Sequence, residues 1–237
     1  MRIKKAFLLA AGLGTRLRPI TYEIPKCLVE INGIPLLAWW VKLFERHNIE
    51  EVLINLHHLP GKVRNFINNY NTSIKFKLVE EKYLLGSAGT LKANADFVDD
   101  APFLIAYADN LTNFNITKFA EFHNAHDYPF SMALFETDTP TAKGIVELDE
   151  NNVVISFEEK PENPKSNLAN AGIYIAEPEI IKLIDKEIAD IGFDLLPKLV
   201  GKMKGFYDSY YLLDIGTHKH LEQANKEWKN YYEKSEL

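Results

Sequence analysis

Cysteine is nearly absent: Cys27 is the single thiol among 237 residues. One thiol closes no internal disulfide and builds no cysteine-rich zinc site, so a reducing, cytoplasmic compartment is expected. No apolar run approaches the ~18 residues that a membrane span requires. Basic blocks of about five or six residues are missing too. With 27 Lys and Arg against 33 Asp and Glu, a formal charge of -6, neither a nucleic acid nor a membrane surface is expected as partner. Repeats, low-complexity tracts and linkers are not seen. What remains is globular in character, 46% hydrophobic, which suffices to bury a core without staples. The apolar stretch Ala6 to Ala11 after Lys4 and Lys5 is too short for a signal-peptide core, and it runs into Gly12, so it reads as a first strand.

Ile3 to Ala10 has the continuous apolar character of a strand buried on both faces. From Pro35, the residues Leu36, Leu37, Trp40, Val41 and Phe44 repeat at helical spacing. Strands are expected at 51–56, 74–79, 103–107 and 130–135, with helices at 61–70, 88–97 and 116–126 between them. After residue 140 come shorter strands at 145–148, 153–157 and 171–176. Helices at 178–185 and 194–200 and a strand at 207–213 follow. A last helix sets Leu221, Ala224, Trp228 and Tyr231 on one face. This order predicts an α/β fold, a mostly parallel sheet flanked by helices with a small antiparallel addition. One domain over 1–237 is expected, with a nucleotide-binding half to about residue 140 and an acceptor half after it.

The loop after the first strand, Ala11-Gly12-Leu13-Gly14-Thr15-Arg16-Leu17-Arg18, carries glycines where backbone N–H groups can approach an anion closely. It lacks the third glycine of the dinucleotide fingerprint, and no glycine precedes Lys-Ser or Lys-Thr at P-loop spacing. Arg16, Arg18 and Lys26 stand near it instead. Cations beside such a loop suit a triphosphate that departs as pyrophosphate, because the leaving group gathers negative charge. A tight turn with solvated cations is the other reading. Asp109, just past the strand at 103–107, lies at the carboxyl edge where α/β sheets hold ligands, and is either a Mg2+ ligand or a helix cap.

Leu8-Leu9-Ala10-Ala11-Gly12-Leu13-Gly14-Thr15-Arg16-Leu17-Arg18-Pro19, followed by Pro25-Lys26-Cys27-Leu28, closely resembles the signature of the sugar-1-phosphate nucleotidyltransferases, the NDP-sugar pyrophosphorylases. The resemblance implies a Rossmann-like fold, Mg2+ as cofactor, and the joining of a sugar 1-phosphate to an NTP with release of pyrophosphate. It implies that Leu9, Ala11, Gly12, Gly14 and Thr15 bind the nucleotide, that Arg16 stabilises pyrophosphate, and that Lys26 bridges phosphates beside the α-phosphorus. Tyr107-Ala108-Asp109-Asn110 is similar to the family's Gly-Asp-Asn, and Leu213-Asp214-Ile215-Gly216-Thr217 to its Asp-x-Gly-Thr. Asp109 and Asp214 would then share the metal. Cys27 replaces a proline and Ala108 a glycine.

A second resemblance lies in Glu158-Glu159-Lys160-Pro161 and Asn170-Ala171-Gly172-Ile173-Tyr174. It implies that Glu159 bonds sugar hydroxyls and Lys160 holds the sugar phosphate, with Asn170 and Gly144 completing the pocket. Lys143 stands where relatives often have tyrosine. Glu81, then Leu85-Gly86-Ser87-Ala88-Gly89, is similar to guanylyltransferase-like members, with Ser87 for threonine. Glu81, Gly86 and Ala88 are thereby implied in nucleotide binding. A carboxylate only accepts hydrogen bonds, and guanine offers adjacent donors at N1 and N2, so GTP is the expected nucleotide. Mannose 1-phosphate or a related hexose or heptose phosphate is the expected acceptor.

The resemblance runs from Lys5 to about Leu221, and no long C-terminal extension is expected. A uridylyl- or thymidylyltransferase is the alternative within the family. A non-catalytic regulatory subunit that binds nucleotide sugars is the alternative outside it, although Arg16, Lys26, Asp109, Lys160 and Asp214 are all present. The histidines at 57, 58, 123, 126, 218 and 220 lack acidic or cysteine partners at metal-ligand spacing and are expected to be structural or surface residues. Whether the chain forms a homo-oligomer is left open.

Overall fold

A computed structural model describes residues 2–234. Its first strand, β1 (Lys5–Leu9), is the apolar run expected, and the glycine-bearing loop ends it. Short 3-10 turns lead to β2 (Glu30–Ile31), β3 (Ile34–Pro35) and helix α1 (Leu36–Arg46), which begins directly after Pro35 and buries the face read from its spacing. Next come β4 (Glu51–Leu56), α2 (Pro60–Asn69), β5 (Lys75–Glu80), α3 (Gly86–Ala93) and β6 (Phe103–Tyr107). After β7 (Asn110–Thr112), α4 (Ile116–Asn124) and β8 (Phe130–Glu136), the chain forms β9 (Gly144–Leu148), β10 (Val154–Glu159) and β11 (Leu168–Ala176). It ends with α5 (Leu196–Leu199), β12 (Lys204–Tyr207), β13 (Leu212–Asp214) and α6 (His218–Lys234). The fold class is the expected one, mixed α/β with helices flanking a central sheet. No described helix is long and apolar enough to cross a membrane.

Some elements differ from expectation. The strand expected at 207–213 is two strands, because β12 pairs in parallel with β8 whereas β13 pairs antiparallel with β7. The helix expected at 178–185 is a 3-10 helix, Pro178–Leu183, and the one expected at 194–200 is a π-turn, Ile191–Leu195, followed by the single turn of α5. Segments this short gain too few hydrogen bonds to favour α-helix by themselves, so neighbouring side chains choose the turn type.

The residues gather into two compact units, each drawn from three stretches of chain. The first comprises the stretch ending at Phe7, Leu85–Ala106 and Ile116–Ser209. Within it β11 pairs antiparallel with β6, β8 and β9, and β10 pairs antiparallel with β9. Phe7 packs edge-on against Phe97 and Phe103, with ring centroids 5.2 and 5.5 Å away. The second unit comprises Leu8–Leu84, Tyr107–Asn115 and the stretch from Tyr210 onward. There β4 and β5 run parallel, in register from Glu51 opposite Lys75 to Leu56 opposite Glu80. A separate core cluster of this unit contains Ile31, Leu36, Trp39, Leu111, Tyr211, Ile215, Ala224 and Trp228, all buried. It carries side chains from α1, β7 and α6, and so fixes the backbone on which Asp109 and Asp214 are mounted.

Candidate active site

In the second unit the glycine loop is held from behind. Gly14 adopts φ 62°, and a side chain there would come within 2.8 Å of Thr21 Cγ2. The Thr21 hydroxyl donates to the Gly14 carbonyl at 2.7 Å, and Leu17 N–H donates to the same oxygen at 3.0 Å. Gly14 is therefore required by the turn itself. Gly12 is not: nothing among the described residues lies within 4 Å of where its Cβ would stand. The space it leaves is outside the protein's own packing and suits an approaching ligand. Leu9 and Ala11 are buried, while Thr15 and Arg16 are exposed.

Lys26, on a 3-10 turn just after Pro25, is buried. Its Nζ donates to Asp109 Oδ2 at 2.6 Å and to Asp214 Oδ1 at 3.0 Å. Arg16 Nη2 lies 3.5 Å from Asp214 Oδ2. Residues 109 and 214 are thus brought to one ammonium. The cause is backbone pairing, for Asp214 lies opposite Asn110 in the β13-β7 ladder, and Ile215 N–H donates to the Asp109 carbonyl at 2.8 Å. Around them Trp40 Nε1–H donates to the Asn110 carbonyl at 2.8 Å, and His220 Nδ1 lies 2.7 Å from the Asp214 carbonyl, a distance that requires the proton on Nδ1. A side chain at Gly216 would crowd the ends of two of these residues, coming 2.7 Å from Arg16 Nη2 and 2.9 Å from Asp214 Oδ2.

Burial alone would pull the Lys26 pKa down, but Asp109 and Asp214 together outweigh it and hold the pKa above the ordinary lysine value. The ammonium stays charged at neutral pH. Burial pushes the neighbouring Cys27 thiol up to about 12, which leaves it protonated and unreactive. The donor set fits a divalent cation. Two carboxylates converge on one cationic centre, and Mg2+ is ordinarily held by one or two carboxylates with substrate phosphates and water.

Glu81 is buried, whereas Glu80 beside it is exposed. Asn55, a polar residue within the apolar strand β4, connects it to the loop: Asn55 Nδ2 donates to Glu81 Oε1 at 2.8 Å, and Asn55 Oδ1 accepts from Ala10 N–H at 2.7 Å. His57 Nδ1 lies 2.8 Å from the Glu81 carbonyl. Asn55 is not among the residues expected from the sequence; the one local signal for it is an asparagine interrupting the strand Glu-Val-Leu-Ile-Asn-Leu.

In the first unit β9 and β10 pair so that Gly144 faces Glu159. A side chain at 144 would come within 2.7 Å of Glu159 Oε2, and one at Gly192 would come equally close. Two glycines therefore flank this carboxylate. Burial raises the Glu159 pKa, and nearby Asp190 adds to the rise while Lys160 opposes it. Lys160 takes φ 52°, and its Nζ stands 5.9 Å from the centre of the Phe193 ring. Asn170 Nδ2 donates to the Tyr174 hydroxyl at 2.7 Å, and Asn170 Oδ1 accepts from Gly172 N–H at 2.9 Å. Gly86, at φ 77°, and Ala88 belong to this unit too.

The expected residues thus divide into two sets. Leu9, Ala11, Gly12, Gly14, Thr15, Arg16, Lys26, Glu81, Asp109 and Asp214 lie in the second unit, and Gly86, Ala88, Gly144, Glu159, Lys160 and Asn170 in the first. The histidines fall into hydrogen-bonded settings: His123 Nδ1 and His126 Nε2 lie 2.8 and 3.0 Å from the buried Ser131 hydroxyl. Among the described residues no group of three or more His, Cys, Asp or Glu could hold a metal.

The sequence profile of the nucleotidyl transferase family matches residues 5–230. A mannose-1-phosphate guanyltransferase of Candida albicans is 30% identical over 226 residues, which cover 91% of this chain and 62% of that protein. The chain therefore spans about three fifths of the length of such curated relatives. Among solved structures, HddC of Yersinia pseudotuberculosis complexed with GMP-PN superposes with a TM-score of 0.81 at 25% identity, covering 95% of this chain and 100% of HddC. A putative glucose-1-phosphate thymidylyltransferase of Bacillus anthracis, in complex with a sucrose, gives a TM-score of 0.84 at 25% identity over 94% of each chain.

Proposed function

The chain belongs to the nucleotidyl transferase family, and from that premise we propose that it transfers a nucleotidyl group from GTP to mannose 1-phosphate or a related hexose or heptose 1-phosphate, releasing pyrophosphate. The observation that carries this reading is the convergence of Asp109 and Asp214 on the Lys26 ammonium, with Arg16 beside Asp214. The names of the guanyltransferase relatives and the GMP-PN complex of HddC support the choice of GTP. So does the buried carboxylate of Glu81, which would accept from the guanine N1 and N2 donors while Asn55 fixes its orientation.

A phosphate monoester has its second pKa at ~6, so near neutral pH the attacking oxygen of the sugar phosphate is already largely anionic. The chain need supply no general base. That oxygen forms a new bond to the α-phosphorus as the bond to the bridging oxygen of pyrophosphate breaks, and the electron pair leaves with pyrophosphate. Lys26 and Arg16 neutralise charge on the reacting and departing phosphates. Glu159 orients the sugar hydroxyls, Lys160 the sugar phosphate, and Asn170 with the Gly144 backbone closes around the sugar. Asp109 and Asp214 would hold Mg2+, which when bound supplies Lewis-acid charge stabilisation at the phosphates.

A panel of GTP, UTP, dTTP, CTP and ATP against several sugar 1-phosphates, read by pyrophosphate release, tests the proposal. GTP with mannose 1-phosphate or a related hexose or heptose phosphate is expected to give the highest kcat/KM. Faster turnover with dTTP or UTP would assign the chain to the thymidylyl or uridylyl branch. No release with any pair, by protein that binds nucleotide sugars, would make it a non-catalytic binder.

A further inference from the structure

The loop at 189–194 has no place in the chemistry described so far, yet it touches residues assigned to both substrates. Its centre is Asp190. Asp190 Oδ1 accepts from Gly192 N–H at 2.8 Å and from Phe193 N–H at 3.2 Å, which caps the π-turn Ile191–Leu195 and fixes the path of Gly192. That path matters because the Glu159 carboxylate lies against Gly192, so close that a side chain there would meet Oε2 at 2.7 Å. Asp190 Oδ2 accepts from the Ser87 hydroxyl at 2.9 Å, and the Ser87 oxygen in turn accepts from Ile191 N–H at 2.7 Å.

The same loop grips the turn that contains Ser87. The Ala189 carbonyl accepts from Ala88 N–H at 2.9 Å and Gly89 N–H at 3.0 Å, and Ala189 N–H donates to the Leu85 carbonyl at 2.9 Å. A side chain at Gly86 would collide with the Ala189 oxygen, and one at Gly89 with the Glu187 oxygen. The glycines of Leu85-Gly86-Ser87-Ala88-Gly89 are therefore required by this contact between two pieces of backbone. Asp194 braces the loop from its other end, accepting from Asp190 N–H at 2.8 Å and pairing with Lys186 at 2.6 Å.

We propose that Asp190 is a positioning residue for the sugar-phosphate end of the site: it holds Gly192 against the Glu159 carboxylate and, through Ser87, ties that carboxylate to the turn bearing Gly86 and Ala88. This rests on the reading of Glu159 as the sugar-binding carboxylate. An anchored loop fixes where the Glu159 oxygens stand before substrate arrives, so its loss falls on the sugar phosphate rather than the nucleotide. The negative charge of Asp190 contributes to the raised Glu159 pKa, in keeping with that proximity.

The experiment compares wild type with Glu159→Gln, Asp190→Ala, Asp190→Asn, Ser87→Ala and Ser87→Thr, measuring KM for sugar 1-phosphate and NTP separately alongside the thermal midpoint. Asp190→Ala is expected to raise KM for the sugar phosphate roughly tenfold or more, with KM for the NTP changed less than about twofold. Asp190→Asn keeps an acceptor for Gly192 and Phe193 and is expected to recover most of that loss, as Ser87→Thr should relative to Ser87→Ala. Equal rises in both KM values, or no rescue by the conservative variants, would reduce Asp190 to a structural role and overturn the proposal. If Asp190→Ala does not fold, the Ser87 pair decides on the same criterion. Should Glu159→Gln leave KM for the sugar phosphate unchanged, the assignment of Glu159 fails; should it raise KM while Asp190→Ala does not, only the positioning role fails.

Discussion

Lys26 shows how one side chain can organise a site. Its ammonium is buried and would be costly to keep charged, but two carboxylates within 3.0 Å compensate. Remove it, and Asp109 and Asp214 are left to repel each other. Lys26→Ala and Asp109→Asn are accordingly expected to lower kcat/KM by roughly a hundredfold or more, while each variant remains folded by circular dichroism and thermal melting. Near-normal rates in both would refute the roles assigned to this cluster. The sign of the pKa shift adds a limit on pH. With its folded pKa raised, Lys26 contributes stability that is complete below its ordinary value of 10.5 and is lost only as pH rises through the folded value. The Lys26 pairing is thus intact across the neutral range.

At the scale of elements, the placement of Asp214 is a matter of strand pairing and helix packing. β13 is three residues long, and three residues cannot hold a conformation alone. It is kept by its ladder with β7 and by Trp228 of α6, whose ring lies 5.4 Å from Tyr211 and 5.5 Å from Trp39. Trp228 is 2% exposed, so truncation removes a full aromatic contact. Trp228→Ala should cost about 3–5 kcal/mol, visible as a lower thermal midpoint. It should also reduce turnover beyond what lost folded protein explains, because Asp214 loses its support. A stable variant with unchanged kcat would show that the ladder alone suffices. The expected strand at 207–213 failed for a related reason. Tyrosines and leucines mark a segment as strand-forming but do not say with whom it pairs, and here β8 takes one end and β7 the other.

For the molecule as a whole, buried histidines make acid a destabilising condition. His123 and His126 share the Ser131 hydroxyl, His123 Nε2 lies 3.3 Å from Glu177, and burial lowers both histidine pKa values to about 4. Burial lowers His47 to about 4 as well. A histidine whose folded pKa lies below its unfolded 6.5 contributes stability that is complete above 6.5 and is lost as pH falls toward 4. Thermal melts between pH 7.5 and 4.5 should therefore show a falling midpoint, and His123→Asn should make the fall shallower. An unchanged slope in that variant would exclude His123 as a contributor.

What local sequence determined is what depends on neighbours along the chain. The apolar run of β1, the helical spacing of α1, and the glycines and cations of the loop after β1 are legible because their physical causes lie within a few residues of one another, whereas Asp214 is marked in the sequence by family resemblance alone. Tertiary structure decided the rest. Asn55 acquires meaning only when β4 lies beside β5 and delivers its amide to Glu81. Asp190 and Ser87 look like ordinary loop residues until two distant backbones touch. That Asp109 and Asp214 reach one ammonium follows from the pairing of β7 with β13. The physical reason is one of range: propensity and periodicity act between neighbours in the chain, whereas a carboxylate pair, a buried amide or a glycine contact is set by whichever segment hydrogen bonding and burial bring alongside.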